Sequence, residues 1–199
     1  MADNLNNIKG AERRFYTCPD IELRAVDGDD DTQVLVGYAA LFGQLSEDLG
    51  GFREKIAPGA FAKSLGGDVR ALFNHDPNLI IGRTQAKTLV LTEDQRGLRV
   101  EISLPDTSVA RDLMESVKVG NINQMSFGFQ TISDNWEDIN GEVVRTLIEV
   151  KLLDVSPVTF PAYPQTEIAK RSMDDWNKGR ASVVPDYGDD YRRLDLIAL

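Results

Sequence analysis

In 123-NQMSFGFQ-130 large and small residues alternate. Met125, Phe127 and Phe129 share one side of an extended chain, and Ser126 and Gly128 share the other. A period of two marks a half-buried strand, so this stretch points to a β-rich fold with three large side chains aimed at its core. The opposite side is unusually bare. It presents one hydroxyl, and Gly128 on the same face leaves room beside it for a peptide or acyl group.

Outward from this strand the chain continues in the same idiom. Segments 12–17, 21–27, 33–41, 69–73, 79–83, 86–94, 97–105, 123–132, 143–152 and 155–164 read as strands. GDDDT at 28–32 reads as a turn, and DNWEDING at 134–141 as a connecting loop. Pro157 and Pro161 suggest an edge strand or a departure from the sheet. Two segments read as helices. One is 57-APGAFAKSLGG-67, with Pro58 in its first turn and a Gly pair as its stop. The other is 108–120, where Val109, Leu113, Met114 and Val117 share a face and Gly120 suits the C-cap. The expected architecture is mainly β with a few helices (α+β): an antiparallel barrel with helices packed outside. Residues 1–10 form a polar N-terminus, 11–170 the folded domain and 171–199 a polar appendage. Within that appendage only RRLDLIAL is suited to a short amphipathic helix, which could support self-association into a homo-oligomer.

Composition narrows the function. The chain has 199 residues, 42% hydrophobic, and a formal charge of −10 from 22 basic and 32 acidic residues. That balance argues against nucleic acid as the main ligand, because phosphate binding needs a basic face. There is no 18-residue apolar run for a membrane span, and the N-terminus lacks the apolar core of a secretory signal. One cysteine, Cys18, excludes an intrachain disulfide framework and fits a reducing cytoplasm. One histidine and one cysteine give no zinc-type ligand cluster; an acidic magnesium site stays conceivable but nothing spaces one, and acylation by a serine needs no metal or cofactor.

His75 is the only histidine and ends the run VRALFNHD. A serine hydroxyl is a weak nucleophile unless a base takes its proton, and imidazole does so near neutral pH. His75 and Ser126 therefore form a candidate base and nucleophile, since such groups are joined by geometry and not by chain order. A carboxylate must orient the imidazole. Asp154 continues the apolar alternation Ile148, Val150, Leu152, and an acid on an apolar face is costly unless paired. Glu149 lies on the other face with Lys151, and Asp76 adjoins His75 but should point away from it. Asp154 ranks first and Glu149 second. No G-x-S-x-G elbow is present, which disfavours an α/β-hydrolase.

An ordered series of motifs resembles the HK97-type phage prohead (capsid maturation) serine proteases. It comprises GYAALFG (37–43), IAPGAFAKSL (56–65), ALFNHD (71–76), IGRT (81–84), GLRVEISLPDT (97–107), VKVGNI (117–122), QMSFGF (124–129) and EVKLLDVSPVTFPAYPQT (149–166). The resemblance implies a closed antiparallel barrel surrounded by helices, similar to the herpesvirus assemblins. It also implies an endopeptidase that acts inside the immature shell, in the host cytoplasm. Its substrates would be the scaffold or the capsid protein's scaffolding segment, and usually itself. The family's histidine carries onto His75 and its serine onto Ser126. The acidic member belongs in the last strand motif, where many relatives have Glu before Val-Ser and this chain has Asp154. That departure keeps Glu149 as the alternative. A competing reading is a non-catalytic capsid-assembly or scaffold-associated barrel, and a third is a general esterase.

Overall fold

Met125, Phe127 and Phe129 are all fully buried, and their strand lies inside the larger of two sheets. A computed structural model of the chain describes residues 10–16, 21–26, 29–160 and 173–179. Its strands are β1 (Ala11–Tyr16), β2 (Glu22–Val26), β3 (Asp29–Leu41), β4 (Arg53–Ile56), β5 (Arg70–Leu72), β6 (Ile80–Arg83), β7 (Leu89–Glu93), β8 (Gly97–Ser103), β9 (Gln124–Ile139) and β10 (Glu142–Val158). The helices are α1 (Ser108–Lys118) and α2 (173–179). Cys18, Pro161 and the RRLDLIAL end lie outside the described residues.

The larger sheet runs β1-β9-β10-β5-β6, with β4 also paired to β10; the smaller runs β2-β3-β8-β7. The expected closed antiparallel barrel is not what forms. Among the described residues no pairing joins the two sheets, and β4 and β5 run parallel to β10. A tight turn, closed by Thr88 N donating to Arg83 O at 3.2 Å, carries the chain from β6 to β7. At Gly82 a Cβ would meet Ile102 at 2.9 Å and the Thr88 carbonyl at 3.0 Å, so the two layers press together there. A stacked and edge-on set of rings, Phe61–Phe127 at 5.4 Å and Phe127–Phe129 at 5.0 Å, fills the space between the sheets with Leu35, Val100 and Ile102.

Several local readings change, among them the turn at 28–32, where β3 already begins at Asp29. The segment 134–139 is strand and not loop: β9 extends to Ile139 and turns into β10 through Asn140 and Gly141, both with positive φ (57° and 86°). Asn-Gly is the residue pair that a tight hairpin with right-handed strand twist demands. The segment 57–67 is not a helix. Gly59 at φ 87° breaks it, and its backbone closes successive four-residue turns such as Ala62 N to Gly59 O and Ser64 N to Phe61 O. Its role is to complete the edge of β10 between β4 and β5. Ala60 O accepts from Val150 N, while the Ser64 hydroxyl donates to Val150 O (2.7 Å) and accepts from Leu152 N (2.9 Å). Pro157 is tolerated inside a paired strand because the pairing of β5 to β10 ends at Val155. α1 forms where a helix was expected but ends at Lys118, with Thr107 as N-cap and Ala110 and Leu113 buried.

At the far end of the core face the packing turns ionic. Arg145 is only 1% exposed. Its guanidinium donates to Glu12 (2.9 Å), Glu54 (3.0 Å) and Asp134 (2.7 Å), and Arg14 donates to Glu12 (2.7 Å) and Glu54 (2.7 Å). Burial favours the neutral form of Glu12, but the charges of Arg14 and Arg145 outweigh it and hold its carboxyl below the usual range. Beside this cluster α2 seats Met173 against Phe52 and Leu49, and stacks Trp176 on Trp136 at 5.8 Å.

Candidate active site

Ser126 reaches the site from near the start of β9, on the face opposite Phe127. Asp154 reaches it from β10, and there a bulge decides the outcome. Leu152 pairs with Phe129 on the core face, yet Asp154 pairs with Gly128 and Ser156 with Ser126. Leu153 is the extra residue. Without it Asp154 would oppose Phe127 and point into the apolar layer; with it the carboxylate turns to the face of Ser126.

His75 arrives from the turn that follows β5. Because β5 runs parallel to β10 in the register Ala71 to Val155, its chain leaves toward the end of β10. Asn74 and His75 both hold left-handed φ (56° and 57°), an uncommon pair for residues other than glycine. The turn is tied to β10: Asn74 N donates to Pro157 O at 3.0 Å, and Thr159 N donates to the Asn74 side chain at 2.8 Å.

The three side chains meet. His75 Nδ1 lies 2.5 Å from Asp154 Oδ1, and Nε2 lies 2.7 Å from Ser126 Oγ. A carboxylate can only accept, so Nδ1 carries the proton and Nε2 is left as an acceptor facing the hydroxyl. Ser156 donates to the same Asp154 Oδ1 at 2.8 Å. The other oxygen, Oδ2, is buried without a hydrogen-bond partner and lies over Gly128, where a Cβ would meet it at 2.2 Å. The space cleared by Gly128 is therefore taken by the Asp154 carboxylate and not by a peptide. Such an arrangement can pass a proton from serine to imidazole while the acid holds the imidazole and balances its charge.

Glu149 does not come to this site. The β10 register shifts between Leu147 and Val150, and Glu149 meets Lys63 at 2.7 Å on the partly solvated side. Asp76 turns to the backbone of Asn78 (2.9 Å) and holds its own loop. Two features escape the sequence reading. Ser156 carried a signal, standing two residues after a suspect acid on the same face. The Arg14 carbonyl, which accepts a hydrogen bond from Ser126 Oγ at 2.8 Å, carried none.

Residues 19–179 match the family model described as caudovirus prohead serine protease. The chain is 32% identical over 148 residues to the prohead protease of Enterobacteria phage HK97, covering 71% of this chain and 61% of that protein. It thus spans about three-fifths of the length of that relative. Its fold is similar to that of the bacteriophage T4 capsid assembly protease, with a TM-score of 0.50 at 12% identity over 74% of this chain and 96% of that one. With four-fifths of its length inside the family match, the chain belongs to the caudovirus prohead serine protease family.

Proposed function

We propose that this protein is a serine endopeptidase of phage capsid maturation, with Ser126 as nucleophile, His75 as general base and Asp154 as the acid that orients it. The observation that carries the reading is the continuous line from Asp154 Oδ1 through the two nitrogens of His75 to Ser126 Oγ, at 2.5 Å and 2.7 Å. As Ser126 Oγ attacks the scissile carbonyl, its proton passes to Nε2. His75 then gives that proton to the departing amine, which leaves an acyl-serine. Water, deprotonated by the same imidazole, releases the acid product and restores the hydroxyl.

The substrate on this reading is the capsid protein's scaffolding segment or a separate scaffold protein, and the chain trims itself. The work is done inside the immature shell in the host cytoplasm. Residues 11–170 are taken as the catalytic unit and 171–199 as an appendage, of which α2 rests against Trp136. One observation favours the non-catalytic alternative: Ser126 has no exposed surface.

Co-expression with the capsid protein separates the two. The wild-type chain is expected to cleave the capsid protein and itself, and Ser126→Ala to do neither, as read by intact-mass spectrometry. Undiminished cleavage by Ser126→Ala would remove the serine from its role. Asp154→Asn is expected to lower kcat by about 10⁴-fold, the loss typical when the orienting acid of a serine triad becomes an amide. Glu149→Gln is expected to retain full activity, because its partner is a surface lysine.

A further inference from the structure

Ser126 is fully buried and His75 nearly so. No peptide carbonyl reaches Oγ in this state, so something must move before any acyl transfer. Two strands flank Ser126 within the sheet: β10 on one edge of β9 and β1 on the other. β10 carries Asp154 and belongs to the site. β1 is the terminal strand of its sheet, and it lies ahead of residues 19–179 that match the family. The covering strand is thus outside the part of the chain that the family model matches.

β1 also takes something from the nucleophile. In its antiparallel register Phe15 stands opposite Ser126, and the Arg14 carbonyl accepts from Oγ at 2.8 Å. A serine hydroxyl has one proton to donate. Arg14 O and His75 Nε2 both sit within 2.8 Å of Oγ, so the strand's carbonyl competes with the base for that proton. While the carbonyl holds it, the base is not engaged.

The charges allow β1 to leave. Glu12 and Arg14 are partners of each other at 2.7 Å and would depart as a pair. Arg145 would keep Glu54 at 3.0 Å and Asp134 at 2.7 Å. Removing one partner of a buried ion pair is costly, but here no cation or anion left behind loses its last partner. The vacated edge of β9 would offer unpaired backbone groups beside Ser126, which is what an extended peptide pairs with when it adds to a sheet.

We propose that β1 is a displaceable strap occupying the edge of β9 that an extended substrate segment takes during turnover. The proposal rests on the reading of Ser126 as nucleophile. The described arrangement is then a resting state, latched by Glu12 and Arg14 and released when β1 unpairs.

A reversible lock tests this in the full-length chain. Ala11 and Gln130 are register partners across β1 and β9. Antiparallel partners have Cα atoms about 4.5–5.5 Å apart, within the span of a disulfide. Ala11→Cys with Gln130→Cys, and Cys18→Ser to leave one thiol pair, can be closed by oxidation and opened by reduction. The readout is covalent labelling of Ser126 by a fluorophosphonate, located by peptide mass spectrometry. Labelling in the reduced form that is lost on oxidation supports the strap. So does labelling that appears only when Arg14→Ala cuts the latch. Equal labelling rates in the oxidised and reduced forms overturn the strap and leave the nucleophile standing. No labelling of Ser126 in either form or in Arg14→Ala overturns both.

Discussion

Asp154 has two oxygens with different neighbours, and the site depends on the difference. Oδ1 receives His75 and Ser156, while Oδ2 has only the bare backbone of Gly128 beneath it. A methyl at 128 would overlap Oδ2, so Gly128→Ala should push the carboxylate away from the imidazole. The expected result is a fall in kcat of about 10²–10⁴-fold, the range that a positioned acid–base group contributes. KM should change little, since no substrate group is touched; steady-state kinetics on a peptide spanning the cleavage site would check it, and an unchanged kcat would return Gly128 to a merely structural role. At this scale much was legible. One histidine, one serine on a bare strand face and one acid on an apolar alternation are anomalies of residue type, and types are written in the sequence. The Arg14 carbonyl was not legible, because every residue carries a carbonyl and only the register of β1 aims this one.

The bulge at Leu153 is the element on which the choice of acid turns. Alternation along β10 is real on either side of it, but parity resets across it, so counting from Ile148 places Asp154 on the wrong face. Two more irregularities leave Ile132 and Ile148 as extra residues, and both are exposed (57% and 44%) although each reads as a core position. β1 is the element with a pH signature. The carboxyl of Glu12 is held below the ordinary value of 4.5 in the fold, so its contribution to stability is full above that value and is lost as pH falls through the lowered one. Glu12→Gln should therefore flatten the decline in denaturant midpoint below about pH 4.5 relative to wild type. Parallel acid profiles for the two proteins would show that Glu12 contributes nothing there. The Asn140–Gly141 turn was legible through its residue pair; the strand leading into it was not, because Asp134, Asn135 and Glu137 look like loop residues until Arg145 pairs with the first of them.

Across the whole molecule, two sheets pack an apolar layer at one end and a charge cluster at the other. Arg145 of β10 anchors that cluster, with β1, β4 and β9 each supplying a partner. Arg145→Ala would strand Glu12 and Glu54 with Arg14 as their remaining cation. It should cost about 3–5 kcal/mol, as breaking buried ion pairs does, read as a drop in the urea midpoint without loss of slope. A change below about 0.5 kcal/mol would place the cluster among solvated surface pairs. The closed barrel was an expectation about this scale, and it failed here. Strand lengths and alternation do not say whether the outermost strands meet, and the close approach at Gly82 stacks the layers instead.

The sequence by itself determined the kinds of chemistry available. It held one imidazole, a hydroxyl on a strand whose other face is Met125, Phe127 and Phe129, and an acid too costly to bury alone. It also determined that β structure dominates, since a period of two is local and survives any tertiary arrangement. Which acid meets the imidazole, what Gly128 makes room for, and what covers Ser126 were decided only by the tertiary structure. Each depends on register between strands far apart in the chain, and register is a relation between segments that no single segment encodes.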